Sequence, residues 1–410
     1  MTRNTLADYQ QVTGQGVIDE LRALADRIQR RSIQHINSTA VGGGVAEILT
    51  RLIPLLRELG LDATWDVIKG DESFFNVSKA FHNALHGKPE EITGQMLEVF
   101  RSNTEMNLQD VNLHGDVIMI HDPQPLGLIE KRKEIGRDWI WRCHIDVSRP
   151  DAHVWEFLRP YVEQYSAAIF SMPEFAQQLP IAQYDVPPSI DPLSDKNRPL
   201  AQEDIVRVFE KYRIDPARPL LTQISRFDRL KDPLGVIAAY RMVKKRHDCH
   251  LLLAGGGATD DPEGAEVLKE VQEAAASDPD IHVLLLPPFS DLEINALVRG
   301  STVVIQKSLR EGFGLTVSEA LWKKKPVVAG AVGGIKIQVI DGVTGFLVHS
   351  IEGAATQIAQ LLRDRRLRER MGENGYEHVK QNFLLTRHVK EYMLTMLAME
   401  HPGESVVHLN

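Results

Sequence analysis

Residues 302–322 read TVVIQKSLREGFGLTVSEALW, and this stretch decides the fold. Its opening run, TVVIQ, is almost wholly apolar, which suits a strand covered on both faces by helices. Its end, from Leu315 onward, has helical spacing. Between them, Gly312 and Gly314 permit a tight turn with exposed backbone N–H groups. A helix starting behind such a turn adds positive potential and unpaired donors, which suit phosphate or sugar oxygens. Glu311 sits in the turn and Glu319 about one turn into the helix, so two carboxylates could grip different hydroxyls of one ligand. A plainer reading stays open at this point: a solvated Glu319 and glycines that only shape the turn.

Working outward, the same alternation recurs on both sides. PLLTQIS (219–225), HLLLAG (250–255), HVLLLP (282–287) and PVVAG (326–330) are further strand candidates, with helical segments at 232–247, 262–277, 291–299 and 314–324. Upstream, SIQHIN (32–37), ATWDVI (63–68), DVIMIHD (116–122), WIWRCHI (139–145) and AAIFS (167–171) alternate with helical stretches at 72–86, 91–107 and 151–164. Strands alternating with helices imply right-handed βαβ units and parallel sheets. VPPSIDPLSDKNRPL (186–200) holds four prolines and reads as a connector. Residues from about 351 to 400 read as helices only.

The expected class is therefore α/β, with two doubly wound, Rossmann-like domains and a helical tail. The expected spans are 1–190, 191–375 and 376–410, the tail packing back toward the first domain. Open parallel sheets bind ligands at the carboxyl ends of their strands, so the cleft between two such domains is the expected site.

A chain of 410 residues is long enough for two substantial cores. The formal charge of -9 argues against broad contact with nucleic acid or anionic lipid. Cys143 and Cys249 lie in apolar runs and fit reduced core thiols. The N-terminus is polar, and no apolar run reaches the roughly 18 residues of a membrane span. A cytoplasmic protein is expected, without membrane or nucleic-acid partners.

Three further groups could carry chemistry. SRFDRLKD (225–232) follows the first strand of the second domain, where Arg226 and Lys231 could converge on one dianionic group. Gly42, Gly43 and Gly44 follow the first strand and precede a helix, as a phosphate-approaching turn or a structural one. His121, Asp122 and Gln124 end one strand run; His144, flanked by Arg142 and Asp146, ends the next. A lone histidine is more often a satisfied core residue than a reacting one, but two at neighbouring strand ends shift that balance. No D-x-D pattern ends a strand of the first domain, and Arg226, Lys231 and helix N–H groups could stabilise a leaving diphosphate without a metal.

Glu311 and Glu319 match the E-x7-E motif of retaining family-4 glycosyltransferases, with the EGFGL-x-x-x-E form intact. SRFDRLKD resembles that family's GR-x-x-x-x-K-G element, with Ser225 and Asp232 in place of its two glycines. The resemblance implies a GT-B fold and a nucleotide-sugar donor. It gives Glu311 the donor sugar and Glu319 the ribose. Gly312, Phe313, Gly314 and Leu315 would meet donor hydroxyls and phosphate through their backbone. Arg226 and Lys231 would hold the diphosphate. Gly43 and Gly44 would let backbone approach the donor. His144 would face the transferred sugar, and His121, Asp122, Gln124 and Asp146 would contact the acceptor.

INSTAVGGGVAEIL, HDPQPLGLI, WRCHIDVS and PPSIDPLSDKN further resemble trehalose synthases of the glycosyltransferring type, and also the retaining trehalose phosphorylases. This resemblance spans about residues 30 to 385. It implies transfer of glucose from a nucleoside-diphosphate glucose, such as UDP-glucose or ADP-glucose, to free glucose. It also implies no required cofactor, magnesium at most as a stimulant, and a homodimer. Three rivals remain: a phosphorylase using orthophosphate, a nucleotide-sugar-binding protein without turnover, and an epimerase of the same fold.

Overall fold

The computed structural model describes residues 4–28, 31–40, 43–256 and 262–401. The chain divides into two compact units, Met1–Ser189 with Leu385–Asn410, and Ile190–Leu384.

The first unit is built on six parallel strands: β1 (Ile33–Asn37), β2 (Ala63–Val67), β3 (Val117–His121), β4 (Asp138–Arg142), β5 (Ala167–Phe170) and β6 (Ala182–Asp185). Their spatial order is β2-β1-β3-β4-β5-β6. β1, β3 and β5 are buried along their whole length, the expected result of helices on both faces. The winding reverses between β1 and β3, and such reversal points open a crevice above the strand ends.

The second unit repeats the plan with β7 (Leu220–Ile224), β8 (His250–Gly256), β9 (Ile281–Leu286), β10 (Val303–Gln306), β11 (Val327–Gly330) and β12 (Gly345–Val348). Its order, β12-β11-β10-β7-β8-β9, reverses between β7 and β10. Leu221, Leu251, Leu253, Val303, Ile305 and Val328 pack from the strands into one core with helix residues such as Val236, Tyr240 and Ile358.

The structure departs from the sequence reading in three places. β6 and β12 were not anticipated: β6 (AQYD) is a largely exposed edge strand without an apolar run, and β12 (GFLV) is an edge strand that opens on glycine, a residue strands disfavour. The proline-rich segment is not a plain connector. Its second half belongs to the second unit, where Asn197 is 1% exposed and donates to Asp191 O and Ser194 Oγ. The tail also begins later than residue 376. The helix Arg365–Asn382 belongs to the second unit, and the last helix, Leu385–Glu400, packs on Gln15–Ile28 and Gly43–Glu58 of the first. The chain passes between the units where Ile190 pairs with Leu384 and donates its N–H to Phe383 O at 2.8 Å.

Candidate active site

In the second unit, the loops that leave β7 and β10 stand side by side because those strands are neighbours. Lys231 comes from the first loop and Glu311 from the second. Lys231 Nζ donates to Glu311 Oε2 at 2.6 Å, and Ser308 Oγ donates to the same oxygen at 3.1 Å. Glu311 is 9% exposed and the Lys231 side chain 18%. An ammonium has three protons, so this pair leaves Lys231 two more to give. The backbone joins the loops as well, through Leu309 N–H to Leu230 O at 2.7 Å.

Asp232, where the resembling motif has glycine, adopts φ 50°, ψ 51°. Left-handed backbone favours glycine, with Asp and Asn among the best tolerated substitutes. Asp232 adds what glycine lacks: its carboxylate accepts Gly235 N–H and caps the helix Pro233–Lys244, and it pairs with Lys307. Arg226 is placed differently from Lys231. Its side chain is 63% exposed and lies 3.5 Å from Asp228 of its own loop.

The turn that follows Glu311 is held from beneath. Gly314 has φ 83° and sits so close to Glu311 that an added Cβ would lie 3.1 Å from Glu311 Cγ. Gly334 N–H donates to Gly312 O at 3.0 Å, and Gln338 binds Phe313 O, Ser318 N–H and Ser318 Oγ. Phe313 is buried against Phe383, and with its carbonyl taken by Gln338 only its N–H is left to offer a ligand. Leu315 begins the helix Leu315–Trp322, and Glu319, 4% exposed, faces Lys196 Nζ at 3.8 Å. Lys323 donates to Glu319 O and to Asn197 Oδ1. Lys196 and Asn197 were missed as candidates because the segment carrying them reads as a linker. The signal for them was PPSIDPLSDKN itself, already among the resembling stretches.

In the first unit, Gly43 and Gly44 open the helix Gly43–Glu58, while Gly42 lies outside the described residues. The two strand-end histidines form one chain with His35 from the middle of β1. His35 Nδ1 lies 3.0 Å from His121 Nε2, and His121 Nδ1 lies 3.0 Å from His144 Nε2. Burial pushes the His35 imidazole down to about 3 and holds His121 and His144 well below their ordinary value. His121 is 2% exposed with both ring nitrogens engaged, so its ring is not presented to an acceptor as expected. Asp122 has φ 63° and accepts His144 N–H at 2.8 Å; burial raises its carboxyl to about 6. Asp146 turns back on Ser148, accepting its N–H and hydroxyl. Gln124 is half-buried. Arg142 is fully buried and donates to Val186 O at 2.6 Å, anchoring the sheet end.

Among the described residues, no group of three His, Cys, Asp or Glu is placed to hold a metal ion, and no helix is long and apolar enough to cross a membrane.

A family described as trehalose synthase, N-terminal domain, matches residues 35–177, and glycosyl transferases group 1 matches residues 204–378. The trehalose synthase of Thermococcus litoralis is 45% identical over 395 residues, which is 95% of each chain. The chain belongs to the trehalose synthase family. The enzyme is a glycosyltransferase of GT-B fold. The trehalose-phosphate synthase (UDP-forming) of Burkholderia vietnamiensis shares that fold at a TM-score of 0.72, with 14% identity over 90% of this chain and 98% of the other. A more distant relative, the trehalose phosphorylase of Grifola frondosa, is 30% identical over 91% of this chain and 58% of its own length. The match to the first family begins at His35, so the enzyme's histidine chain lies within the matched region.

Proposed function

We propose that the enzyme forms α,α-trehalose by moving glucose from a nucleoside-diphosphate glucose to free glucose, reversibly and with retention at C1. The observation that carries this reading is the Lys231–Glu311 pair at the winding reversal, beside a glycine turn whose N–H groups open a helix. Lys231 and Arg226 take the diphosphate, Glu311 a hydroxyl of the donor glucose, and Glu319 the ribose. The backbone N–H groups of Gly312, Phe313, Gly314 and Leu315 meet donor oxygens, and Gly43 and Gly44 let backbone approach the donor. His144 meets the transferred glucose, while Asp122, Gln124 and Asp146 lie on the acceptor's side.

In the reaction, the bond from C1 to the β-phosphate oxygen breaks and a bond from C1 to the acceptor oxygen forms on the same face. The acceptor's proton goes to the departing phosphate oxygen. Negative charge grows on the diphosphate as the sugar becomes oxocarbenium-like, so Arg226, Lys231 and the helix N–H groups act most strongly at the transition state. These cations suffice without a metal, and magnesium acts at most as a stimulant. The protein works as a homodimer in the cytoplasm.

The test is product analysis with nucleoside-diphosphate glucose and glucose, with and without EDTA. One α,α-linked disaccharide per nucleoside diphosphate, unaffected by chelation, supports the reading. Glucose that never accepts overturns it. The likeness to a phosphorylase supplies the competing arm, in which phosphate releases glucose 1-phosphate from trehalose and nucleotides have no effect.

A further inference from the structure

His35, His121 and His144 sit on three adjacent parallel strands, β1, β3 and just past β4. In register, His35 pairs with Met119 and His121 with Arg142. Each histidine therefore lies two residues further toward the carboxyl edge than its neighbour's partner. Because side chains two apart share a face, the three rings form a staircase on one side of the sheet. Their centroids are 5.3 Å apart at both steps.

Each ring is neutral and carries one proton. Burial above all, and then the Arg142 guanidinium, discourages protonation of His121 and His144, while one Asp122 oxygen accepts the His144 backbone N–H rather than a ring proton. Tyr392 and His388 close the face from the last helix. His388 is itself held neutral by burial and by Arg387 and Arg142.

A neutral imidazole has one donor and one acceptor, so His121 must give at one nitrogen and receive at the other. The two hydrogen bonds therefore run in the same direction, and the whole chain has only two arrangements. Its buried end chooses between them. His35 Nε2 is buried and has no hydrogen-bond partner. If the bonds ran inward from His144, that nitrogen would hold a stranded N–H. If they run outward, it is a bare lone pair. Among backbone groups, orphaned buried N–H groups are rarer than under-satisfied acceptors, and the same cost of a stranded proton applies to a ring nitrogen. An unmet lone pair on His35 Nε2 costs less than a stranded N–H, which favours the outward direction: His35 Nδ1–H to His121 Nε2, then His121 Nδ1–H to His144 Nε2.

We infer that His35, acting through His121, is a positioning residue that fixes His144 as the Nδ1–H tautomer, so that His144 presents a hydrogen-bond donor to an oxygen of the transferred glucose. This rests on the proposed place of His144 at that sugar. It also explains why a histidine stands at His35, deep in a strand, where an apolar residue would pack.

The test combines spectroscopy with kinetics. In protein labelled with ¹⁵N-histidine, the His144 signals are assigned by comparison with His144→Gln, and long-range ¹H–¹⁵N correlation reads which nitrogen bears the proton. The expected result is a protonated Nδ1 and a bare Nε2. A proton on His144 Nε2 overturns the inference. His35→Leu removes the donor to His121. It should mix the His144 tautomers and lower kcat about tenfold or more, with the donor KM within about twofold. His35→Asn keeps an amide N–H near the Nδ1 position, so it should restore the single tautomer and most of kcat. Equal losses in the two variants, or an unchanged kcat in His35→Leu, overturn it. Should His35→Leu fail to fold, the wild-type tautomer and His35→Asn still decide. If the wild type transferred no glucose at all, the functional reading would fall, while the tautomer measurement would still judge the chain.

Discussion

Lys231 Nζ stands 2.6 Å from Glu311 Oε2, joining the loops of two neighbouring strands where the second sheet reverses its winding. The pair sets a cation and a carboxylate at one point, each with bonding capacity left. A sugar diphosphate needs both kinds of group, a cation for its phosphates and an acceptor for its hydroxyls.

Glu311→Ala removes the acceptor and leaves Lys231 without its carboxylate partner. Turnover should fall by about two orders of magnitude or more, the scale of a lost transition-state contact. Steady-state kinetics on a variant with an unchanged circular-dichroism spectrum checks this. A near-normal rate would remove Glu311 from the reaction.

Arg226→Ala tests the other cation. Arg226 is mostly exposed and bonded within its own loop, so the fold should tolerate its loss with little change in melting temperature. kcat should nonetheless drop by about two orders of magnitude. Stability and activity that both stay at wild-type levels would make Arg226 a surface residue only.

Glu319→Ala should instead act through donor binding. The expected result is a raised donor KM with a smaller change in kcat, the pattern of a contact made equally in ground and transition states. Its neighbour Lys196 loses a partner in this variant, so Lys196→Met serves as the control for a merely electrostatic effect. An unchanged donor KM in Glu319→Ala would count against the ribose role.

Gly333→Ala probes the support of the turn without touching a candidate ligand group. Gly333 has φ 46°, and an added Cβ would fall 1.6 Å from Glu311 O. The backbone carrying Glu311 must shift, and a misplacement of about 1 Å can cost about a hundredfold in rate. A kcat/KM equal to that of wild type would show that the turn need not be held so closely.

The first unit should be acid-sensitive. His35, His121, His144 and His388 have imidazoles depressed below 6.5 by burial. Below pH 6.5 the unfolded chain takes up protons that the folded chain refuses, so stability falls as pH drops from there toward the folded values. Asp122 has the opposite sign. Its folded carboxyl titrates near 6, so from about pH 4 to 6 the folded state holds a proton that the unfolded state lacks. The histidines outnumber it. Melting temperature should therefore decline from pH 7 to pH 5. His35→Asn should flatten the dependence by one proton, about 1.4 kcal/mol per pH unit. A melting temperature flat across that range would contradict buried neutral rings.

The two-sheet plan was legible because its central strands are continuous apolar runs, VIMIH and VVIQ among them. β6 was not, because a polar edge strand has no such signature. Glu311 and Glu319 were picked out by their spacing about a glycine turn and Lys231 by the basic loop after the first strand of the second domain, and the structure brings Lys231 and Glu311 together. Lys196 and Asn197 were hidden because prolines and charges around them suggest a linker, and only tertiary contacts bring Lys196 to Glu319 and Asn197 to Lys323. His121 was visible as a strand-end histidine, but its role depends on register. Only the pairing of β1 with β3 and of β3 with β4 sets His35 and His144 on either side of it, and spacing within one strand says nothing about that.

The most direct measurement is the reverse reaction: incubate the protein with trehalose and a panel of nucleoside diphosphates, and look for sugar nucleotide. Nucleoside-diphosphate glucose and free glucose should appear in equal amounts with at least one of them. No sugar nucleotide with any base, or glucose 1-phosphate formed from orthophosphate alone, would contradict it.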